Sequence, residues 1–252
     1  MSQVFPSDRR VNDRGGDVLI AGDVHLMPVV DAGLDRFRRF LVHAAHSARE
    51  LYLLGDLFDF WTGPGSVCLA GYREAAEALR GAADRGLAMT WLPGNRDFNL
   101  DSATAQRCGL RVAGECVVAD LPSGRTLLTH GDLFLTGDRA YQRMRVLLRS
   151  PAMRWLAHSL PAALSASLAV RLRRYSSRAV SRKDPSALRI VPAAVEALLG
   201  ERARRAVCGH VHQATTLSLS GGCELWTLGA FAEGGWFLRD DGRALRHERF
   251  EG

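Results

Sequence analysis

Asp23 and His25 stand two residues apart, and so do His210 and His212 near the other end of the chain. Between these pairs come three more short motifs rich in ligand atoms: Gly55-Asp56-Leu57-Phe58-Asp59, Gly94-Asn95-Arg96-Asp97 and His130-Gly131-Asp132. Carboxylate, amide oxygen and imidazole are the donors that hard and borderline divalent cations take. In an extended or turning segment, residues two apart face the same way, so each pair is able to clasp one ion. Glycine before Asp56, Asn95 and His210 lets the backbone turn tightly without a Cβ in the way. One His-x-His alone says little, because most such pairs are incidental. Five motifs in series, each closing a strand, point instead to a metal centre built from Asp23, His25, Asp56, Asn95, His130, His210 and His212.

The elements that must position these residues are legible as short apolar runs. Val18 to Ala21, Leu51 to Leu54, Ala88 to Leu92, Thr126 to Thr129 and Ala206 to Cys208 each run into one of the motifs. Brief β-branched or leucine runs bounded by glycine predict buried strands. Ligands at the C-terminal ends of such strands sit where open α/β sheets place their sites. Helical spacing appears in Leu34, Phe37, Leu41, Ala44 and Ala45, and again in Ala75, Ala76, Leu79 and Ala83, with Asp31 and Asp101 as N-cap candidates. After His210 the texture is of strands, at Thr215 to Ser220, Glu224 to Leu228, Trp236 to Leu238 and Leu245 to Phe250. Gly221-Gly222 and Asp241-Gly242 mark turns between them.

The interval from about 138 to 192 differs. From Arg139 through Lys183 it holds no Asp or Glu but many arginines, and Pro151, Pro161 and Pro185 divide it into helices. It reads as a helical insertion capping the metal-bearing sheets. Its Trp155, Leu156, Leu160, Leu164 and Leu168 either pack the cap onto the body or line a slot for apolar chains. The expected organisation is a flexible tail over 1–16 and a single domain over 17–252 that carries this cap.

Composition bounds the rest. The chain has 252 residues, 47% hydrophobic and 24% charged, an ordinary globular balance that excludes disordered and fibrous classes. The net charge is +6, carried almost wholly by arginine, with Lys183 the lone lysine. Arginine favours bidentate recognition of phosphate, although base composition of the genome produces the same bias. Five cysteines without a C-x-x-C pair predict buried reduced thiols and a cytoplasmic location. The first sixteen residues lack the apolar stretch of a secretion signal, and no run reaches the roughly 18 apolar residues that cross a bilayer. The basic residues cluster in one helical segment without interleaved stacking aromatics, which argues against a nucleic-acid partner.

From Asp23 through about Phe237 the motif series resembles the calcineurin-like metallophosphoesterases. That resemblance implies an α/β fold, a four-layer α-β-β-α sandwich with two metals at the sheets' C-terminal edge. One metal takes Asp23, His25, Asp56 and His212, and the other takes Asp56, Asn95, His130 and His210, with Asp56 bridging. Two cations about 3.5–4 Å apart lower the pKa of water and clasp phosphoryl oxygens for in-line attack. Asp59 is then expected to orient ligands without binding metal, and Asp132 to do so for His130. Asp97 is expected to pair with an arginine or cap a turn.

Where the broad family commonly has Gly-Asn-His, this chain has Gly94-Asn95-Arg96-Asp97-Phe98. That departure is similar to one subfamily, the UDP-2,3-diacylglucosamine hydrolases of lipid A biosynthesis. The Tyr52-x-Leu54-Gly55-Asp56-Leu57-Phe58 run, His130-Gly131-Asp132 followed by Asp138 and Tyr141-Gln142, Leu228-Gly229-Ala230 and Glu233-Gly234 agree with it. The resemblance implies substrate contacts at Asn95, Arg96, Asp138, Ser176, Lys183 and His210, with Tyr141 a further candidate. A cap position that is asparagine in the subfamily falls here on Val180. Also implied are manganese as the metal, a lipid-linked nucleotide-sugar substrate, and release of UMP. A basic amphipathic surface suits peripheral contact with an anionic membrane face, the inner face of the inner membrane. No obligate protein partner is expected. Two other readings remain: a metallophosphoesterase acting on another phosphodiester or nucleotide-sugar pyrophosphate, and a non-catalytic metal-binding scaffold.

Overall fold

A computed structural model of the chain describes residues 16–159, 161, 164, 167, 171 and 189–252. Ser176, Val180 and Lys183 lie outside the described residues, as do Leu160, Leu168 and positions 1–15. The first half of the chain alternates strand and helix: β1 (Asp17–Ala21), α1 (Ala32–Ser47), β2 (Ala48–Leu54), α2 (Ala70–Asp84), β3 (Ala88–Leu92), α3 (Ser102–Arg107) and β4 (Leu110–Val112). Then follow β5 (Cys116–Leu121), β6 (Gly124–Thr129), α4 (Arg139–Leu148), α5 (Pro151–Ser159), α6 (Pro192–Leu199) and β7 (Arg205–Cys208). The chain closes with β8 (Thr215–Ser218), β9 (Glu224–Thr227), the single turn α7 (Phe231–Gly234), β10 (Trp236–Asp240) and β11 (Leu245–Arg249).

The strands form two sheets, one in the order β11-β10-β1-β2-β3-β4 and the other β5-β6-β7-β9-β8. Period-two alternation decides what each face meets. On β1, Leu19 and Ala21 pack with Phe37, Phe40, Leu41 and Ala44 of α1, while Val18 and Ile20 turn inward. On β2, Leu51 and Leu53 face the helices, and Tyr52 and Leu54 join the inward cluster. That inward cluster also takes Leu128 from β6 and Val207 from β7, so the two sheets are packed face to face. Leu127, Ala206, Cys208 and Leu225 point the other way, against Val195 and Leu199 of α6. The layers therefore run α-β-β-α, as the resemblance implies.

Local chemistry fits these elements. The side chains of Asp31 and Asp101 accept hydrogen bonds from Leu34 N at 2.9 Å and Thr104 N at 2.8 Å, so both are the N-caps expected. Each such cap is worth about 1 kcal/mol. Phe37 and Phe40 are fully buried, and each contributes on the order of 1.5–3 kcal/mol by leaving water. Two strands escape the sequence reading, β4 and β5. Both lie at sheet edges, and β4 is three residues long with only Leu110 buried, so neither carries a strong apolar signal.

Strand direction is what matters for the site. β1, β2 and β3 run parallel in one sheet, and β6 and β7 run parallel in the other. His130 Nδ1 lies 2.9 Å from Leu54 O, and the His210 backbone N–H donates to Asp23 at 2.8 Å. These bonds lace the C-terminal ends of the two sheets together, and the five ligand-rich loops meet there.

Candidate metal centre

Among the described residues, only five non-glycine positions have a positive φ: Asp23 (52°), His25 (50°), Asp56 (48°), His210 (71°) and His212 (56°). All five belong to the seven ligand candidates. Left-handed backbone at a residue with a Cβ costs on the order of 1–3 kcal/mol and persists only where its surroundings hold it. Here the loops hold one another: Asp23 N donates to Gly55 O at 3.2 Å and His25 N to Asp56 O at 2.9 Å. Asp23 and His25 thereby share the ligand cluster, while Val24 between them is buried in the core. At Gly94 the backbone comes so near Asp56 that an added Cβ would lie 2.2 Å from its amide nitrogen.

The candidate side chains converge. Asp23, His25 and His212 offer ligand atoms all within 4.8 Å of one another, and so do Asp23, Asp56 and His130. His212 Nε2 lies 3.5 Å from Asp23 Oδ1 and 3.4 Å from His25 Nε2. His130 Nε2 lies 3.7 Å from Asp56 Oδ1, 2.9 Å from the Asn95 side chain and 3.1 Å from His210 Nδ1. All seven candidates thus belong to one cluster, with Asp23 close to both groups.

The donor set fits divalent cations on its own chemistry. His130 Nδ1 faces a backbone carbonyl, which only accepts, so the proton sits on Nδ1 and the Nε2 lone pair points into the cluster. His212 Nδ1 faces Glu233 Oε1 at 3.0 Å, so its Nδ1 keeps a proton and Nε2 is the nitrogen turned to the cluster. Its Nε2 then meets His25 Nε2, and His130 Nε2 meets His210 Nδ1, ring nitrogen against ring nitrogen. Asp23 is fully buried, and its Oδ1 has no hydrogen-bond partner of good geometry. Imidazole nitrogens gathered around a buried carboxylate with one oxygen unmet are a donor set that a divalent cation fits.

The electrostatics divide the four imidazoles: His25 and His210 are lowered, while His130, beside Asp56 and against its burial, and His212 are raised and must shed a proton to ligate a cation. Burial holds His25 and His210 down at about 4, so both imidazoles are neutral and free to ligate. Burial works against the charge of Asp23, yet the imidazoles of His212, His130 and His25 hold it well below the ordinary carboxylate range. Asp56, also buried, is raised by its burial, with Asp23 beside it adding to the shift. His212 is pushed up to about 9 by Asp23, against burial, with Glu233 adding.

The surrounding residues depart from expectation in instructive ways. Asp132 does not hold His130: its Oδ2 accepts from Tyr141 Oη at 2.8 Å and Arg145 Nε at 2.9 Å. The backbone carbonyl of Leu54 takes the orienting role instead. Tyr141 is accordingly turned to Asp132, and Asp138 caps α4 by accepting from Tyr141 N at 3.0 Å. Arg96 reaches back over the cluster, with Nη1 3.0 Å from Asp59 Oδ1 and Nε 3.5 Å from Asp56 Oδ2. Among the described residues Asp97 has no ion pair with an arginine. It is fully buried and accepts from Leu57 N at 2.8 Å, Gly94 N at 2.9 Å, Trp91 Nε1 at 3.3 Å and Phe58 N at 3.4 Å. It caps the turns after β2 and β3 together.

Sequence reasoning missed Glu233 as the partner of His212, since nothing in Glu233-Gly234 announces a ligand's neighbour. Of the segment expected as a cap, α4 and α5 are among the described residues, and Trp155, Leu156 and Leu164 are exposed. His158 Nε2 bonds to Asn99 O at 3.1 Å and thereby ties α5 to the loop after β3.

No protein-family model matches the chain. A UDP-2,3-diacylglucosamine hydrolase from Edwardsiella ictaluri is 34% identical over 235 residues, covering 90% of this chain and 89% of its own. Another, from Xanthomonas campestris pv. campestris, is 34% identical over 247 residues, covering 92% of this chain and 98% of its own. Among solved structures, a dimetal phosphatase from Danio rerio aligns over 95% of this chain and 100% of its own, at 12% identity and a TM-score of 0.42. With the four-layer fold and the clustered ligands already in place, the full-length relatives settle the assignment: the chain belongs to the UDP-2,3-diacylglucosamine hydrolase family.

Proposed function

We propose that the chain hydrolyses the pyrophosphate of UDP-2,3-diacylglucosamine, releasing UMP and 2,3-diacylglucosamine 1-phosphate, in lipid A biosynthesis. The observation that carries this reading is the convergence of seven ligand-type side chains, five of them on left-handed backbone, at the joined ends of the two sheets. In this account Asp23, His25, Asp56 and His212 hold one divalent cation, and Asp56, Asn95, His130 and His210 hold the other. Manganese is the metal proposed, although imidazole and carboxylate suit several divalent ions. When bound, such a pair supplies Lewis acidity toward phosphoryl oxygens and makes water a nucleophile at neutral pH.

The chain's own residues do the rest. Water adds to the α-phosphorus, the bond from that phosphorus to the bridging oxygen breaks, and the sugar 1-phosphate leaves with that oxygen. Arg96, beside Asp56 and Asp59, is in this account the residue that meets the negative charge growing on the leaving phosphate. Leu54 O and Glu233 keep the protons of His130 and His212 on Nδ1, so neither ring changes tautomer during turnover.

The helical segment from about 138 to 192 is proposed as the cap, with Asp138, Ser176 and Lys183 among its substrate contacts. Val146, Leu147, Trp155 and Leu156 are exposed on α4 and α5, which supports contact with acyl chains or a bilayer surface. Among the described residues no helix is long and apolar enough to cross a membrane. Co-sedimentation with anionic liposomes is expected to fall as salt rises; binding that is absent or indifferent to salt contradicts the peripheral contact.

The experiment for the activity is incubation with UDP-2,3-diacylglucosamine and manganese, reading out UMP. A protein that leaves this substrate intact but cleaves bis(p-nitrophenyl) phosphate keeps the chemistry and loses the substrate.

A further inference from the structure

The motif loop Gly94-Asn95-Arg96-Asp97-Phe98 is gripped at both ends by one side chain from outside it. Arg149 follows the last turn of α4 and reaches back over the sheet ends. Its Nη2 donates to Gly94 O at 2.7 Å, and its guanidinium lies 5.3 Å from the centre of the Phe98 ring. The same guanidinium meets Glu115 through Nη1 and lies 3.5 Å from Asp132 Oδ2. Its side chain is only 13% exposed, so these contacts are made largely out of water. Arg145, one turn earlier, is paired with Asp132 at 2.9 Å and Glu115 at 2.5 Å, and among the described residues it has no hydrogen bond or ion pair with the loop.

We infer that Arg149 is a positioning residue for Asn95, setting the ligand loop from the first helix of the cap segment. The chemistry requires arginine. A planar guanidinium can accept stacking on its face while its edge donates to a carbonyl and a carboxylate at once. A lysine ammonium offers a point charge and no stacking plane, so it keeps the attraction to Glu115 but not the grip on both ends of the loop. Gly94 itself has no side chain with which to hold its place, and the residue after it carries the amide ligand. Its fixed points are the Asp97 carboxylate on its N–H and Arg149 on its carbonyl.

The inference rests on the proposed metal centre, and it separates the two cation positions. Loosening Gly94-Asn95 should weaken the cation held with Asn95, His130 and His210. It should spare the one held with Asp23, His25, Asp56 and His212, since among the described residues Arg149 has no hydrogen bond or ion pair with the loops of those four. Outer groups that orient a ligand typically change metal affinity about 10–100-fold when removed.

The test is calorimetric titration of the metal-free full-length protein with manganese chloride, with urea unfolding run in parallel. The wild type should show two binding events. Arg149→Met and Arg149→Lys should each weaken one event about tenfold or more and leave the other within about twofold. If Arg149→Met does not fold, Arg149→Lys carries the test, since it retains the charge beside Glu115. Arg145→Met breaks the same ion cluster without touching the loop, and should lower stability while leaving both events at wild-type affinity. Two unchanged events in both Arg149 variants, two equally weakened events, or the same split in Arg145→Met would overturn the role given to Arg149. A wild type that takes up no manganese would remove the metal centre itself and this inference with it, a result distinct from any of those.

Discussion

The His210 backbone N–H donates a 2.8 Å hydrogen bond to Asp23 Oδ2, joining residues 187 apart in sequence and carried by different sheets. It occupies one oxygen of the buried carboxylate and leaves Oδ1 turned toward His25 and His212. The approach is possible because Gly209 lacks a side chain: a Cβ there would lie 2.4 Å from Asp23 Oδ2. Gly209→Ala should therefore push the two sheet ends apart and destabilise the fold by about 1–3 kcal/mol, read by urea unfolding. Manganese uptake should fall with it. Wild-type stability and uptake in this variant would show that the contact has slack.

His210→Ala removes one imidazole that burial keeps neutral at about 4 and that faces His130. Turnover, read as UMP release, is expected to drop about a hundred- to a thousandfold, the scale on which a single group stabilising the transition state is felt. The circular dichroism spectrum and unfolding midpoint should stay near those of the wild type, since the side chain contributes no core packing. Activity near wild type would remove His210 from the ligand set.

Much of this site was legible in the sequence because a ligand must end a strand, and short apolar runs that break at glycine are visible without coordinates. Asp23, Asp56, Asn95, His130 and His210 each close such a run. The four layers follow from the alternation of Leu19 with Val18 and Ile20, although β4 and β5 at the sheet edges bury too little to be seen. What lay hidden depends on contacts across space. That Leu54 O and not Asp132 orients His130, that Glu233 serves His212, and that Arg149 returns to Gly94 all join segments far apart in the chain. The left-handed backbone at five ligands was equally invisible, because aspartate and histidine adopt it only when neighbouring loops impose it.

Asp97 offers a separate test of the loop framework. Its carboxylate takes three backbone N–H donors from the two turns that carry Asp56 and Asn95, and a fourth from the Trp91 indole on β3. An asparagine there presents one oxygen and an NH2 group that faces other donors. Asp97→Asn should cost about 2–3 kcal/mol of unfolding free energy through the donors it leaves unmet. An unchanged denaturation midpoint would mean that the turns are held by other contacts.

Thiol labelling reports on the core from another direction. Cys108 and Cys116 are buried and pushed up to about 11 by that burial, and Cys208 is raised further still. Cys68 is exposed and Cys223 half-buried. With Ellman's reagent at pH 8, Cys68 and Cys223 should react in the folded protein, and all five should react in denaturant. A pKa near 11 leaves on the order of one thiolate in a thousand at that pH. Rapid native labelling of Cys108 or Cys116 would contradict the packing described.

The most direct examination of the central claim is a crystal grown with manganese and measured at the manganese absorption edge. Two anomalous peaks should appear among the side chains of Asp23, His25, Asp56, Asn95, His130, His210 and His212, with Asp56 reaching both. No peak there, or peaks only elsewhere on the protein, would contradict the account.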